Sequence, residues 1–258
     1  MDIHMRKFRT ILGVRFFVGT VEAPLAESRK GGLIVVPAAP ALAELSENHE
    51  YRQALESATF AIIDSSFLVI LWFIRKGELL IRISGLQFMR GLLTDQAFRQ
   101  KGATYWIMPS REDMEANIRW LNTAGLEISA ENCYLAPHYP LGGVVDGDLL
   151  SAIEACKPQY IIINIGGGTQ EILGHYLLAR LSYKPAIICT GVAIAFLSGR
   201  QANIPRWIDK MMLGWLARCA HEPGKFIPRY LRGFRLIGIL FRYADRPVSA
   251  ALGAAGNI

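Results

Sequence analysis

Two groups of residues in this 258-residue chain have side chains and spacing suited to chemistry. The first is the octapeptide Asn164-Ile165-Gly166-Gly167-Gly168-Thr169-Gln170-Glu171, which begins inside the apolar run 160–165. A buried strand, a glycine turn and a helix capped by Thr169 would place backbone N–H groups at the carboxyl edge of a parallel sheet. Such an edge binds anions such as phosphate. The spacing matches neither G-x-G-x-x-G nor a Walker A loop, so the alternative is a turn that needs glycine for steric reasons only.

The second group is Asp64 with Arg82. Asp64 ends the apolar run 60–63, where a carboxylate costs free energy unless it is solvated, hydrogen-bonded or used. A carboxylate at a strand end can act as a general base or hold a sugar hydroxyl. The alternative for Asp64 is a cap on the helix that runs through Phe73. Arg82 precedes a predicted helix start at Ser84-Gly85, where a guanidinium could hold a phosphate or carboxylate, and its alternative is a surface ion pair.

Other catalytic classes lack their signatures. No histidine pair has metal-ligand spacing, no serine lies in a nucleophile elbow and no two cysteines form a C-x-x-C pair. We therefore expect no metal site and set aside metallohydrolase and serine-hydrolase chemistry. The free and mostly buried thiols of a cytosolic protein are expected at Cys133, Cys156, Cys189 and Cys219.

Strands alternate with helices along most of the chain, which predicts an α/β fold with a doubly wound, mainly parallel sheet. The first 30 residues predict an edge strand or hairpin. Core strands are predicted at 33–36, 60–63, 104–108, 132–135, 160–165 and 186–189. Helices are predicted near 41–48, through Phe73 after Asp64 as a buried helix, at 86–101, from Ser110 to about Thr123, near 148–155 and at 169–181. From Pro205 onward the pattern predicts helices alone.

Composition and charge restrict the class of protein. A hydrophobic share of 52% supports a real core. The longest apolar run, 60–74, is interrupted by polar residues and is shorter than the ~20 residues of a membrane span. The N-terminus has no secretory-signal pattern. Residues 199–258 carry ten Lys and Arg against three acidic residues, a net charge of +7, which predicts an anionic partner.

The basic tail contains one segment with helical spacing of apolar residues. Ile227, Leu231, Phe234 and Phe241 lie on one arc of a helical wheel, and arginines fill the adjoining arc. One interpretation is a helix docked on the α/β core with its arginines paired to carboxylates. The other is an interfacial helix on an anionic membrane surface. Nucleic acid is not an expected partner, because these basic residues share their helices with large aromatic residues and form no known reading motif.

The glycine turn and the tail together resemble the WecG/TagA/CpsF glycosyltransferases, glycosyltransferase family 26. The family pattern G-x-G-x-P-x-Q-E is similar to 164–171, and G-R-x-x-R-A-P-x-W is similar to 199–207. The later pattern G-L-E-W-x-x-R, followed by E-P and R-Y, is similar to 213–230. Asp64 matches the proposed catalytic base of the family, and Arg82-Ile83-Ser84-Gly85 matches its R-V-x-G turn. The resemblance covers about residues 33–232.

This resemblance implies a Rossmann-like, nucleotide-sugar-binding core at 1–200 and a helical, basic C-terminal appendage at 201–258. It implies inverting transfer of a sugar from a UDP-sugar to a polyprenyl-diphosphate-linked acceptor, in the cytoplasm at the inner face of the membrane. UDP-sugar is then a substrate, and no cofactor or D-x-D metal motif is implied. The implied catalytic residue is Asp64. The implied donor-binding residues are Arg82, Gly166, Gly167, Gly168, Gln170 and Glu171. The implied acceptor-binding residues are Arg206, Arg218, Arg229 and Arg232.

Several polar residues of the family pattern are absent. Pro37-Ala38-Ala39 stands in place of T-x-N, and Leu86-Gln87 stands in place of S-D. Three further polar positions of the pattern are occupied by Ala195, Gly214 and Asn203. A second hypothesis is therefore a catalytically degenerate member that binds a nucleotide sugar or a partner without transfer. The sequence leaves the sugar, the acceptor and any homo-oligomer open.

Overall fold

A computed structural model describes residues 7–140, 143–191, 193–200 and 223–248. In these parts of the chain eight strands form one sheet. The strands are β1 (Phe8–Ile11), β2 (Val14–Phe17), β3 (Gly32–Val35), β4 (Phe60–Ala61), β5 (Thr104–Met108), β6 (Cys133–Leu135), β7 (Tyr160–Ile163) and β8 (Ala186–Cys189).

The sheet order is β1-β2-β4-β3-β8-β7-β5-β6. Only the β1–β2 hairpin at the edge is antiparallel, and every other neighbouring pair is parallel. The central strands β3, β7 and β8 are fully buried, as expected for parallel strands covered on both faces. The predicted α/β fold with a doubly wound, mainly parallel sheet is confirmed.

Helices cover both faces of the sheet in the described residues. They are α1 (Glu22–Ser28), α2 (Ala39–Leu42), α3 (His49–Glu56), α4 (Ser66–Lys76), α5 (Gly85–Thr94), α6 (Arg111–Thr123), α7 (Gly147–Cys156), α8 (Thr169–Arg180), α9 (Ala193–Leu197), α10 (Pro223–Gly233) and α11 (Arg235–Tyr243). One core joins the sheet to α2, α3, α4, α7, α8 and α11. The other core joins it to α1, α5, α6 and α9.

Serine side chains begin the helices that follow the strand ends. Ser65 accepts a hydrogen bond from the Leu68 N–H at 3.2 Å, and Ser84 accepts one from the Gln87 N–H at 3.1 Å. These caps satisfy amides that have no partner within the helix. They fix where α4 and α5 begin, and therefore fix the positions of the residues just before them.

Some predicted bounds differ in the structure. The predicted strand 60–63 is shorter in the structure, since β4 ends at Ala61 and the chain turns just beyond it, where the Asp64 N–H bonds to the Ile62 carbonyl at 3.1 Å. The predicted helix 86–101 ends at Thr94, where Asp95 adopts an extended conformation. Helix 41–48 is instead the short α2, followed by α3. Helix α1 is not predicted by the sequence.

The C-terminal helices pack on the same core as the sheet. Leu236 and Leu240 of α11 are fully buried there, and Gly233 approaches Pro40 of α2. Pro228 lies inside α10. The predicted domain boundary between residues 200 and 201 falls at the start of 201–222, outside the described residues, and the division into two domains stays a prediction.

Candidate active site

Asp64 and Arg82 are brought together at the carboxyl end of β4. The Arg82 Nε donates to the Asp64 backbone carbonyl at 2.6 Å, and its Nη2 lies 3.4 Å from Asp64 Oδ1. The same Oδ1 accepts the Gly85 N–H at 3.2 Å, at the start of α5. Asp64 keeps 29% of its side chain exposed and Arg82 keeps 17%. The carboxylate is therefore held by two partners and is still reachable from solvent.

This geometry removes one alternative for Asp64. The helix that follows it is capped by Ser65, so Asp64 is not the N-cap that the alternative required. Its hydrogen bonds run instead to the segment 82–85, which is distant in sequence.

The glycine turn lies at the carboxyl end of β7. Gly166 and Gly168 have φ of 99° and 95°, a region that favours glycine. An added Cβ at either position would meet no atom within 4 Å, so the turn faces open space. The cap of α8 is Gly168 and not Thr169, because Thr169 is already the first helical residue. The N-terminus of a 12-residue helix and its positive dipole end therefore face this open space.

The side chains of Gln170 and Glu171 point inward. Both residues are 1% exposed. Glu171 accepts the Gly168 N–H at 2.6 Å and the Gln170 Nε2 at 2.8 Å. Gln170 Oε1 accepts the Gly191 N–H at 3.0 Å. The pair therefore joins the glycine turn after β7 to the loop after β8, a network that the sequence did not predict.

Strands β3 and β8 lie between Asp64 and the glycine turn, and the connections that follow them run to opposite faces of the sheet. The residues after β3 lead to α2 on one face, whereas those after β8 lead to α9 on the other face. Adjacent parallel strands with divergent connections form the crevice in which open α/β sheets bind ligands. Asp64 lies on one side of this crevice and the glycine turn on the other. Three strand spacings of about 4.8 Å separate the ends of β4 and β7, which gives roughly 14 Å.

A cleft of about 590 Å³ lies beside the glycine turn. Its lining includes Gly167, Gly168 and Thr169 of the turn and Arg232 and Arg235 from the C-terminal helices. Two groups of residues that are distant in sequence, the predicted donor-binding turn and the predicted acceptor-binding Arg232, thus line the same cleft.

Another wall of the cleft is held by Asp146. Tyr139, which lines the cleft, donates its hydroxyl to Asp146 Oδ2 at 2.7 Å, and Tyr134 donates to Oδ1 at 3.0 Å. Asp146 also caps α7 through the Leu149 N–H. Burial, together with the hydrogen bond to Asp146, raises the pKa of Tyr134 to about 12 and raises the pKa of Tyr139 as well. Both phenols therefore keep their protons near neutral pH.

The remaining predicted acceptor-binding arginines are only partly described. Arg206 and Arg218 lie outside the described residues, as does the side chain of Arg229. Arg235 forms a bidentate pair with Glu47, and this guanidinium lowers the pKa of the Glu47 carboxyl below its ordinary value. This pair ties α11 to the segment before α3, on the rim of the cleft.

One apolar surface is exposed across α4 and the C-terminal helices. The sequence predicted α4 as a buried helix, but Phe73 is 52% exposed and Ile74 63% exposed. The Phe67 ring packs edge-on against Phe234 with centroids 5.6 Å apart, so α4 contacts the start of α11. We call this the apolar face; its exposed members are Ile70, Phe73, Ile74, Ile227, Leu231, Phe234, Ile237 and Phe241.

The described residues contain neither a membrane-spanning helix nor a cluster of metal ligands. No helix there has both the length and the hydropathy that a membrane crossing requires. No group of three or more His, Cys, Asp or Glu in the same parts of the chain is arranged to hold a metal ion.

Comparison with known proteins identifies the family of this chain. Residues 9–249 match the model of the glycosyl transferase WecG/TagA/CpsF family. A relative from Bacillus spizizenii, named N-acetylglucosaminyldiphosphoundecaprenol N-acetyl-beta-D-mannosaminyltransferase, is 24% identical over 228 residues, which cover 83% of each chain. The family match spans nearly the whole sequence and includes the sheet, the glycine turn and the C-terminal helices. The chain belongs to the WecG/TagA/CpsF family of glycosyltransferases.

Proposed function

We propose that this glycosyltransferase moves a sugar from a UDP-sugar to a polyprenyl-diphosphate-linked acceptor in the synthesis of a cell-surface polysaccharide. The observation that carries the proposal is the cleft shared by the glycine turn and Arg232, beside a crevice whose other side holds Asp64. The relative's printed name describes transfer of N-acetylmannosamine to a diphosphoundecaprenol-linked N-acetylglucosamine, and it supports an acceptor of this class.

In this proposal the donor lies along the carboxyl edge, from the glycine turn toward Asp64. The amides at the start of α8 and the positive end of its dipole stabilise the diphosphate. Gly166 and Gly167 bind through the backbone, and the Gly168 N–H, which is donated to Glu171, holds the shape of the turn. Gln170 and Glu171 contribute by fixing the turn, since their side chains are buried in the network with Gly191.

Asp64 is the proposed general base. The acceptor hydroxyl attacks the anomeric carbon of the donor, and Asp64 takes the proton of that hydroxyl. The new C–O bond forms as the bond from the anomeric carbon to the UDP oxygen breaks, and UDP leaves with the electron pair. A single displacement of this kind inverts the anomeric configuration. Arg82 orients Asp64 through its two contacts and adds a positive charge on this side of the crevice.

The acceptor approaches from the side of the C-terminal helices. Arg232 lines the cleft and is the proposed contact to the acceptor's own diphosphate, with Arg206, Arg218 and Arg229 as further candidates from the sequence. A lipid-linked acceptor must be reached at a bilayer, so we propose that the apolar face rests on the inner surface of the cytoplasmic membrane. Arginines beside an apolar face are favourable on an anionic lipid surface, at about 1 kcal/mol each.

The test is a matrix of donors and acceptors. Purified protein is incubated with UDP-N-acetylmannosamine, UDP-N-acetylglucosamine or UDP-glucose and with a short-chain polyprenyl diphosphate that carries N-acetylglucosamine. The extended lipid-linked saccharide is measured by mass spectrometry. Transfer from one of these donors supports the proposal. Donor binding without product would favour the catalytically degenerate member. If the protein shows no donor binding and forms no product, the proposed function is contradicted.

A further inference from the structure

Two buried polar atoms lie at the carboxyl edge without a hydrogen-bond partner in the described parts of the chain. They are Asn164 Oδ1 and Thr190 Oγ1. Asn164 is 3% exposed and Thr190 is 7% exposed. Burying an oxygen of this kind without a partner costs free energy, because its bonds to water are lost and not replaced. An orphaned polar group that a fold retains at its ligand-binding edge points to a ligand that satisfies it.

The two residues are neighbours. Ile163, the last residue of β7, is in register with Cys189, the last residue of β8, so Asn164 and Thr190 follow at the same level. Adjacent strands lie about 4.8 Å apart. Side chains on neighbouring strands at this spacing can reach two hydroxyl groups of one sugar ring.

The buried Asn117 amide near these atoms is bonded elsewhere. Asn117, the buried amide on this side of the sheet, donates to Met108 Sδ at 3.3 Å and accepts from Ser198 at 2.6 Å. The Asn164 amide nitrogen itself faces Met108 Sδ at 3.8 Å, and a thioether is a weak acceptor.

Asn164 and Thr190 lie in the crevice between Asp64 and the glycine turn. An added Cβ on Gly85 would lie 3.6 Å from the Thr190 carbonyl, and Gly85 is the residue whose N–H bonds to Asp64. On the other side, Gly191 follows Thr190 and bonds to Gln170. Thr190 and Asn164 thus occupy the segment of the edge between Asp64 and the glycine turn.

We propose that Asn164 and Thr190 bind hydroxyl groups of the nucleotide-sugar donor. The Asn164 amide oxygen accepts a hydrogen bond from one hydroxyl, and the Thr190 hydroxyl donates to or accepts from a second. This inference rests on the proposed function, and it adds two donor-recognition residues that the family motifs of the sequence did not indicate.

The test compares two near-isosteric variants, Thr190→Val and Asn164→Leu, with the wild-type protein. The melting temperature without ligand and the Kd for UDP, UDP-N-acetylmannosamine and UDP-N-acetylglucosamine are measured by calorimetry. Because each change removes an unsatisfied polar atom, we expect an unchanged or higher melting temperature. The same change should weaken donor binding about tenfold.

Thr104→Val is the matched control. Thr104 is a buried threonine of the same sheet, 3% exposed, and its Oγ1 accepts the Trp106 indole N–H at 3.0 Å. Its substitution orphans that N–H, so the melting temperature should fall while donor affinity is retained. A melting temperature that is unchanged or higher indicates a hydroxyl that serves a ligand. A melting temperature that falls indicates a hydroxyl that serves the fold.

The donor series identifies the hydroxyl groups. Weaker binding of UDP and both UDP-sugars alike assigns the contacts to the ribose, whereas weaker binding of the UDP-sugars alone assigns them to the transferred sugar. If the wild-type protein binds the donor and both variants bind it with the same Kd, the inference is overturned. A melting temperature of the variants that falls as in Thr104→Val would also overturn it. If the wild-type protein binds none of the three nucleotides, the proposed function fails and this inference fails with it.

Discussion

The Gly85 N–H donates to Asp64 Oδ1 across 3.2 Å, and this bond joins the end of β4 to the start of α5. Twenty-one residues separate the two positions in sequence. Because Ser84 caps α5 independently, the Gly85 amide is free to serve the carboxylate. Arg82 adds a second contact, so the rotamer of Asp64 is fixed from two sides. A general base needs this kind of fixed position relative to the hydroxyl that it deprotonates.

The glycine turn allows a test of backbone-mediated donor binding. Gly167 is the one glycine of the three whose φ is not positive, and it is exposed on the cleft. Gly167→Ala should therefore leave the melting temperature unchanged but reduce UDP affinity, because the new methyl group crowds the phosphate path. Calorimetric titration with UDP measures this effect.

Gly168→Ala is the companion variant. At φ 95° and ψ −72° an alanine is strained, at about 1–3 kcal/mol, so this variant should also lose stability. Equal UDP affinity in wild type and Gly167→Ala would show that the turn is shaped for packing alone.

Arg232 is expected to serve the acceptor rather than the donor. Arg232→Gln should raise the KM for the lipid-linked acceptor about tenfold, since a charge-assisted contact to a phosphate contributes roughly 1.5–3 kcal/mol. The donor KM should change little. Arg119→Gln is the control, because Arg119 is an exposed arginine of α6 on the opposite face of the sheet. A rise in donor KM of the same size, or equal effects in the two variants, would argue against this role.

The apolar face predicts membrane binding that depends on α4 as well as on the C-terminal helices. Phe73→Ser should weaken co-sedimentation with vesicles containing anionic lipid about tenfold, since immersing a phenyl ring contributes on the order of 1.5 kcal/mol. The variant should fold normally, because Phe73 is half exposed. Val145→Ser, at a residue that is 79% exposed and outside this face, is the control. Equal pelleting of Phe73→Ser and wild type would remove α4 from the membrane contact.

Docking of the C-terminal helices should depend on pH. Arg235 lowers the Glu47 pKa from its ordinary value of 4.5, so the pair stabilises the docked state above that value. The contribution is lost as the pH falls below 4.5 through the lowered pKa of the folded state. Lower protection factors of the α10 and α11 amides at pH 3.5 than at pH 6, with the intrinsic exchange rate at each pH divided out, are the expected result. In Glu47→Gln this loss of protection should be absent; the same loss in that variant would assign it to other groups.

The position of the site residues at strand ends could be predicted from the sequence, but the buried hydrogen bonds that their side chains form could not. Asp64 and the glycine turn follow apolar runs, and the ends of parallel strands meet at one edge. Gln170 and Glu171 were expected to face the donor. Gln170, however, lies three and seven residues before Leu173 and Leu177, which are both buried, and this spacing places it on the inner face of α8. The helical spacing therefore indicated an inward-facing Gln170, whereas the match to the family motif suggested a side chain that faces the donor.

The amphipathic elements were harder to predict. Helix α4 is apolar on all sides, a pattern typical of a buried helix, and yet only one side packs on the core. In the tail, Leu236 and Leu240 fall outside the predicted apolar arc. They are the residues that anchor α11 to the core, while the predicted apolar arc faces outward. The docked interpretation thus holds for one side of α11, whereas the membrane interpretation of the exposed side stays a prediction.

Transfer by Asp64→Asn tests the central claim most directly. Asparagine keeps an oxygen for the Gly85 N–H, so the fold and UDP affinity should match wild type, but it cannot accept the hydroxyl proton. Formation of the extended lipid-linked saccharide should fall by about 10²–10⁴. Asp148→Asn, at an exposed aspartate in the first turn of α7, should transfer at the wild-type rate. Undiminished transfer by Asp64→Asn would contradict the account and leave Asp64 as a structural link between β4 and α5.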